Sequence, residues 1–208
     1  MHRFSMLLVA ALILTVGAAA CTRKTDQPAA GQVKAVYDKQ TGKLTMLTFD
    51  SKKTGKIDTW SYMDGSRIVR IEIDRNGDGK VDRWEYYGLN SQLEKVGISR
   101  PDDGKPDAWA YAGADGKLAK MEISGSRDGK ITRTEYYQAG VLMRAEESSA
   151  GDGKIDKWET YASGALATVA FDSTRRGTPD RRLTYLADGS VRVEVDPAGT
   201  GRFSPARQ

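Results

Sequence analysis

The sequence predicts an all-β protein, an antiparallel meander of tandem β-hairpin repeats of ~24 residues whose sheet is curled or closed. Three observations predict it. A glycine-headed segment recurs along the chain, apolar and charged residues alternate between the copies, and turn-forming pairs sit inside each unit.

The recurring segments are GKIDTWSY from Gly55, GKVDRWEYY from Gly79, GKPDAWAY from Gly104, GKITRTEYY from Gly129, GKIDKWETY from Gly153 and GTPDRRLTY from Gly177. A truncated GRF follows at Gly201. Successive glycines lie 24, 25, 25, 24, 24 and 24 residues apart, which defines seven copies of one unit.

Each unit holds two strand-like runs. The first, such as VDRWEYY at residues 81–87, is rich in β-branched and aromatic side chains that suit a pleated surface. The second, such as IVRIEI at 68–73, places Val69, Ile71 and Ile73 on one side and Arg70 and Glu72 on the other. LAKMEI (118–123) and VRVEV (191–195) repeat this period of two, the pattern of an antiparallel strand with one charged face. Between the runs stand Asp64-Gly65, Asp115-Gly116, Ala139-Gly140, Ser163-Gly164 and Asp188-Gly189. Such pairs supply the positive φ that tight hairpin turns need. An opening hairpin over residues 36–49 precedes the first full unit.

A sheet with one apolar face has to cover it, so this one is expected to curl, close or fold over on itself. A β-solenoid with one coil per unit is the alternative, although the Asp-Gly turns favour hairpins. A β-propeller takes four strands per blade, hence two units, and seven units do not divide into blades. The array is expected over residues 33–203, with a disordered tail at 204–208. The segment YDKQTGKLT (37–45) and the later turn-strand segments resemble the YD repeats of Rhs-type proteins. The order of aromatic strand, Gly turn and apolar strand is similar to MORN-like hairpin repeats and, more loosely, to choline-binding cell-wall repeats. The resemblance implies a hairpin array and transfers no activity.

Residues 1–20 read as a secretory signal peptide: His2 and Arg3, an apolar run at 6–16, then Gly17, Ala18, Ala19 and Ala20. The run is well short of the ~20 residues a spanning helix needs. The only cysteine, Cys21, follows at once. This resembles the lipobox of bacterial lipoproteins, whose cysteine becomes the lipid-modified first residue, although that family prefers Leu where Ala18 stands. The resemblance implies a lipid anchor in the cell envelope. It points to the outer membrane, because Thr22 is not acidic. The alternative is a secreted or periplasmic protein cut before Cys21. Residues 21–32 read as the lipidated cysteine and a flexible tether.

Without residues 1–20 the chain has 31 Lys and Arg (32 less Arg3) against 28 Asp and Glu, a net charge of +3. The charges are interspersed, which argues against nucleic acid as a partner. The only histidine, His2, lies in the signal segment and leaves no imidazole for a Ser-His-Asp triad or a zinc site. Nothing marks one carboxylate pair for glycoside hydrolysis among 28 acidic residues, so no enzyme is expected.

Residues 74–85, DRNGDGKVDRWE, are a candidate calcium loop. Oxygen side chains fall at positions 1 (Asp74), 3 (Asn76), 5 (Asp78), 9 (Asp82) and 12 (Glu85), with Gly79 sixth and Lys80 offering its carbonyl seventh. This matches the EF-hand loop, whose hard oxygens suit Ca²⁺. Between strands, it resembles the EF-hand-like loops of bacterial surface and propeller proteins. One Ca²⁺ site is expected here. Other copies have lost ligands: Lys52 stands at position 3 of the first loop and Arg176 at position 5 of the sixth. There the Asp and Gly residues serve as turn formers.

Trp60, Trp84, Trp109 and Trp158 recur at one position, with Tyr62, Tyr86, Tyr111 and Tyr136 two residues further on. Sharing a face, they are expected to pack as a core ladder. Tyr87, Tyr137, Tyr161 and Tyr185 fall on the opposite face, read as polar, and are the candidate ligand-contacting aromatics. The expected function is a non-catalytic envelope scaffold or binding module, stabilised by calcium, whose partner is an envelope protein or glycan. The alternative is a carbohydrate- or peptidoglycan-binding protein that uses its aromatic rows.

Overall fold

In a computed structural model of the chain, residues 33–206 are described. The signal segment, Cys21 and the tether lie outside the described residues, as do residues 207–208.

Among the described residues every regular element is a strand. The first seven are β1 (Val33–Tyr37), β2 (Leu44–Phe49), β3 (Thr59–Asp64), β4 (Arg67–Ile73), β5 (Arg83–Tyr87), β6 (Leu93–Ile98) and β7 (Ala108–Ala112). Then come β8 (Leu118–Ile123), β9 (Arg133–Gln138), β10 (Val141–Glu147), β11 (Lys157–Ala162), β12 (Ala165–Phe171), β13 (Arg181–Tyr185), β14 (Val191–Val195) and β15 (Ser204–Pro205). They form one sheet of 15 strands in chain order. Each pairs antiparallel with its neighbours, as hairpins do and solenoid coils do not. The array runs on into the segment expected as a disordered tail, because Ser204 pairs with Val195 and Pro205 with Glu194.

Of the expected alternatives, curling, closing or folding over, the sheet does not close. Each strand contacts only the strands before and after it, so the sheet is open and one layer thick. The register explains why no second layer is required. On one face a row runs Trp60, Glu72, Trp84, Gly97, Trp109, Glu122, Thr134, Glu146, Trp158, Ala170, Arg182, Glu194 across β3 to β14. Two residues further along, a second row on that face alternates Tyr62, Arg70, Tyr86, Lys95, Tyr111, Lys120, Tyr136, Arg144. The opposite face carries Ile71, Glu85, Val96, Ala110, Met121, Glu135, Ala145, Glu159 and Val169 in one row. Apolar and charged groups are interleaved on both faces, so neither presents the continuous apolar surface that a second layer would cover.

The hairpins β1–β2, β3–β4, β5–β6, β7–β8, β9–β10 and β11–β12, whose turns lie at the far end from the Gly-headed loops, also carry a bulge. In β3–β4 the register slips between Tyr62 and Met63, so Ile68 pairs with Met63 and Val69 is left as the extra residue. Val69 was expected in line with Ile71; the bulge removes it from that alternation and adds local twist. The Ala139-Gly140 turn holds both residues at positive φ, 51° and 83°, as a primed hairpin turn requires.

Among the described residues few apolar side chains are buried: Trp84, Val96, Ala108, Ala145 and Val169. The first residue of every Gly-headed loop is buried as well, namely Asp50, Asp74, Ser99, Ser124, Ser148, Asp172 and Asp196. A line of shielded polar groups therefore runs along one edge of the array.

Candidate functional site

The loop edge is built by carboxylates that collect backbone donors. Asp74 accepts the Gly77 N–H on Oδ1 at 2.6 Å and the Gly79 N–H on Oδ2 at 2.8 Å. Asp82 accepts the Arg75 N–H at 2.8 Å. Other loops repeat the pattern: Asp172 accepts the Gly177 N–H at 2.5 Å, Asp196 that of Gly201 at 2.6 Å, and Ser148 Oγ that of Gly153 at 3.1 Å. Backbone bonds then link loop to loop. The Asp74 N–H donates to the Asp58 carbonyl at 2.8 Å, and the Ser99 N–H to the Asp82 carbonyl at 2.9 Å. Position one of each loop thus bonds to position nine of the loop before it, and the carboxylates named above are seated in concavities of N–H groups.

The candidate calcium ligands are only partly gathered. Asp74, Asn76, Asp78 and Asp82 share the loop, while Glu85 lies in β5 and accepts the Arg83 Nε–H and the Tyr87 O–H, each at 2.6 Å. Asp78 accepts the Lys80 N–H at 2.9 Å and pairs with its ammonium at 3.4 Å, and Asn76 donates to Asp102. Among the described residues, no three acidic, histidine or cysteine side chains are placed to share a cation. Ca²⁺ wants at least six oxygens, and completing such a shell asks Glu85 to leave both partners. Cationic side chains join neighbouring loops here. Lys80 Nζ donates to the Asp102 carbonyl at 3.0 Å, Arg176 Nη2 to the Pro197 carbonyl at 2.8 Å, and Lys52 Nζ to the Arg75 carbonyl.

The aromatic rows are equally self-contained. Cations cover the ring faces of the first Tyr row: Arg70 over Tyr62 at 4.1 Å, Lys120 over Tyr111 at 4.2 Å and Arg144 over Tyr136 at 3.5 Å. Lys95 lies between Tyr86 and Tyr111, 4.8 and 5.9 Å from their centroids. The hydroxyls of Tyr62 and Tyr111 donate to Glu72 and Glu122 at 2.9 and 2.6 Å. Burial and the Glu122 carboxylate push the Tyr111 hydroxyl up to about 12. This cation–tyrosine ladder was missed at the sequence level. Its signal was the constant offset between Tyr in the first run of a unit and Lys or Arg in the second.

The second Tyr row, read as lying on the polar face, is on the face of Ile71, Val96 and Val169, and the charged side of β4, with Arg70 and Glu72, is the one that carries Trp60 and Tyr62. The hydroxyls of Tyr87, Tyr137 and Tyr161 donate to Glu85, Glu135 and Glu159 at 2.6, 2.6 and 2.8 Å. Burial and the adjacent carboxylates push Tyr87 and Tyr137 up to about 12. Tyr185 is 41% exposed and pairs with Val191.

Glu135 and Glu159 are the two carboxylates drawn closest to one centre, the Arg133 guanidinium, at 2.8 and 2.7 Å. Burial raises the Glu159 carboxyl, but bonds from Arg133, Lys157 and Tyr161 outweigh it and hold the group at about 2. A glycosidase acid needs a raised value. The arrangement is that of a structural ion-pair node.

Fold and loop edge together define a class, the open, single-layer antiparallel repeat sheet. No family model and no curated protein matches the chain. Among solved structures, TarM aligns over 47% of this chain at 13% identity and a TM-score of 0.40. A mutant of S. aureus TarM in complex with fondaparinux, alpha-GlcNAc-glycerol and UDP aligns over 44% at 14% identity and 0.38. The accessory secretory protein 1, 2 and 3 structure of Streptococcus pneumoniae aligns over 68% at 11% and 0.24. These alignments span 18%, 18% and 19% of those chains.

Proposed function

We propose that this is a non-catalytic repeat protein of the bacterial cell envelope, held at the outer membrane through a lipid on Cys21, with its sheet serving as a scaffold or binding surface. The observation that carries the reading is the single layer: strands touch only their neighbours, so both faces stand open along the array. Catalysis asks for an enclosed site with groups matched for proton transfer. Here the face carboxylates Glu72, Glu85, Glu122, Glu146 and Glu159 are ion-paired. The loops close through their own N–H donors, so the scaffold reading does not depend on Ca²⁺.

Fractionation of cells making the native chain or Cys21→Ser tests the anchor. The native chain is expected in the outer-membrane fraction and the variant in the soluble one; a native chain that is fully soluble would sink the anchoring. Turnover of a chromogenic glycoside by the purified chain, abolished by Glu159→Gln, would sink the non-catalytic half. A second reading, glycan binding through aromatics, has support at one place. The first Tyr row is faced by cations and three hydroxyls of the second are bonded, whereas Trp158 is part-exposed and lines a cavity.

A further inference from the structure

The Trp–Glu row is regular enough for its interruptions to be informative. Glu72, Glu122, Glu146 and Glu194 occupy one repeat position, and Gly97 and Ala170 replace it in two units. At Gly97 the space is already filled: a Cβ there would lie 3.3 Å from Pro106 Cβ and 3.5 Å from Trp84 Cε3. Ala170 is part-exposed and pairs across the strands with Trp158. Trp158, the row neighbour of Ala170, lines a cavity of about 430 Å³ together with Lys154, Ile155, Arg175 and Arg176.

A second change coincides with the first. The fifth loop position is Asp78, Asp103, Asp128 and Asp152 in four successive copies and Arg176 in the sixth. Arg176 donates to Thr174 Oγ1 and the Pro197 carbonyl, neither of them anionic. Arg175 pairs with Asp152 at 3.1 Å, and Lys154 is exposed. The wall also holds two carboxylates, both turned into their own loops. Asp156 accepts the Ser149 N–H, and Asp172, 4% exposed, accepts the Gly177 N–H and the Thr174 O–H. One carboxylate has been lost from the row next to Trp158 and another replaced by a guanidinium at the rim, beside a part-exposed indole.

We infer that this groove between the fifth and sixth loops binds an anionic sugar residue. Its ring stacks on Trp158, and its phosphate or carboxylate takes the place of the missing row glutamate, facing Lys154, Arg175 and Arg176. Indole faces suit the apolar face of a pyranose, and a guanidinium suits a planar or tetrahedral oxyanion. The inference rests on the binding-surface reading, whose own fractionation and glycoside tests stand apart from the one below.

The test is tryptophan fluorescence titration of the purified full chain in detergent with glucose 6-phosphate, glucose and inorganic phosphate. Glucose 6-phosphate is expected to give a saturable change, with glucose and phosphate each at least roughly tenfold weaker. Ala170→Glu and Arg176→Asp restore residues that other units accommodate, so both variants should still unfold cooperatively, Arg176→Asp at a lower temperature for want of its bond to Pro197, and both should lose the response. Response to neither anion, or binding unchanged in the two variants, overturns the inference. Phosphate binding as tightly as glucose 6-phosphate overturns the stacking role of Trp158.

Discussion

Arg133 of β9 reaches Glu159 of β11 through Nη2, 2.7 Å from Oε2, by crossing the intervening strand over Ala145. The same guanidinium meets Glu135 at 2.8 Å and Glu147 at 3.0 Å, while Lys157 stands 3.2 Å from Glu147 and 2.8 Å from Glu159. A methyl group at position 145 leaves the passage that a longer side chain would close, and it is 2% exposed beneath the bridge. Glu159→Gln is expected to cost ~1–3 kcal/mol, the range for losing charge-assisted bonds in a shielded place. Ala145→Leu should cost a similar ~1–3 kcal/mol by overpacking. Urea unfolding checks both, and unchanged midpoints would mean that the node contributes nothing.

The same node sets an acid limit. Glu159 is held at about 2 against an ordinary value of 4.5. A carboxyl depressed in the folded state contributes stability that is full above its unfolded value and is lost as pH falls through the folded one. Glu85 and Glu122 are lowered too, in each case because ion pairing and tyrosine hydrogen bonds outweigh burial, so they act in the same direction. The unfolding midpoint is expected to drop as pH goes from 4.5 to 2, more gently in Glu159→Gln. A parent curve as flat as the variant's would remove Glu159 from the account.

Asp74 and Asp78 separate turn chemistry from metal binding. Asp74 holds two N–H groups from a site that is 3% exposed, whereas Asp78 caps one N–H on the exposed side. Asp74→Ala should therefore destabilise by ~1–3 kcal/mol and Asp78→Ala by no more than ~0.5 kcal/mol. Melting curves in EDTA and in millimolar Ca²⁺ are expected to coincide. A melting temperature raised by Ca²⁺ and returned by Asp78→Ala would show instead that Glu85 swings in to complete a shell.

Although the bulge at Val69 moves Trp60 from Ile71, where turn position alone would set it, to Glu72, the hairpins were legible because a period of two and the turn pairs are local properties. The open single layer was not. Reading Ile71 and Ile73 as an apolar face hides Glu85, Glu135 and Glu159, which join that face from the neighbouring strands. Reading Trp60 as core hides Glu72 beside it for the same reason. The partners that meet across strands lie as far apart in sequence as 10 residues for Tyr62 and Glu72 and 26 for Arg133 and Glu159, beyond any single alternating run. Within the candidate calcium loop, the oxygens were legible as a spacing. The allegiance of Glu85 to Arg83 and Tyr87 was not, because both are its neighbours in β5, where alternation places residues 83, 85 and 87 on one face.

Gly97 and Ala170 offer a contrast that joins packing to the proposed groove. Both replace the row glutamate, but Gly97 is buried under the Trp84 indole and Pro106, and Trp84 is 8% exposed. Its φ is not in the left-handed region, so any penalty at this position comes from space alone. Gly97→Val has to displace Trp84 and is expected to cost ~1–3 kcal/mol, with tryptophan emission shifted to the red as the indole is exposed. Ala170→Val adds two methyl groups at a part-exposed position next to Trp158, which lines the cavity, and should stay within ~0.5 kcal/mol of the parent. Unfolding curves and emission spectra of the pair decide the matter. Equal losses at the two positions would mean that the space beside Ala170 is closed in solution, and the groove could then take no ligand.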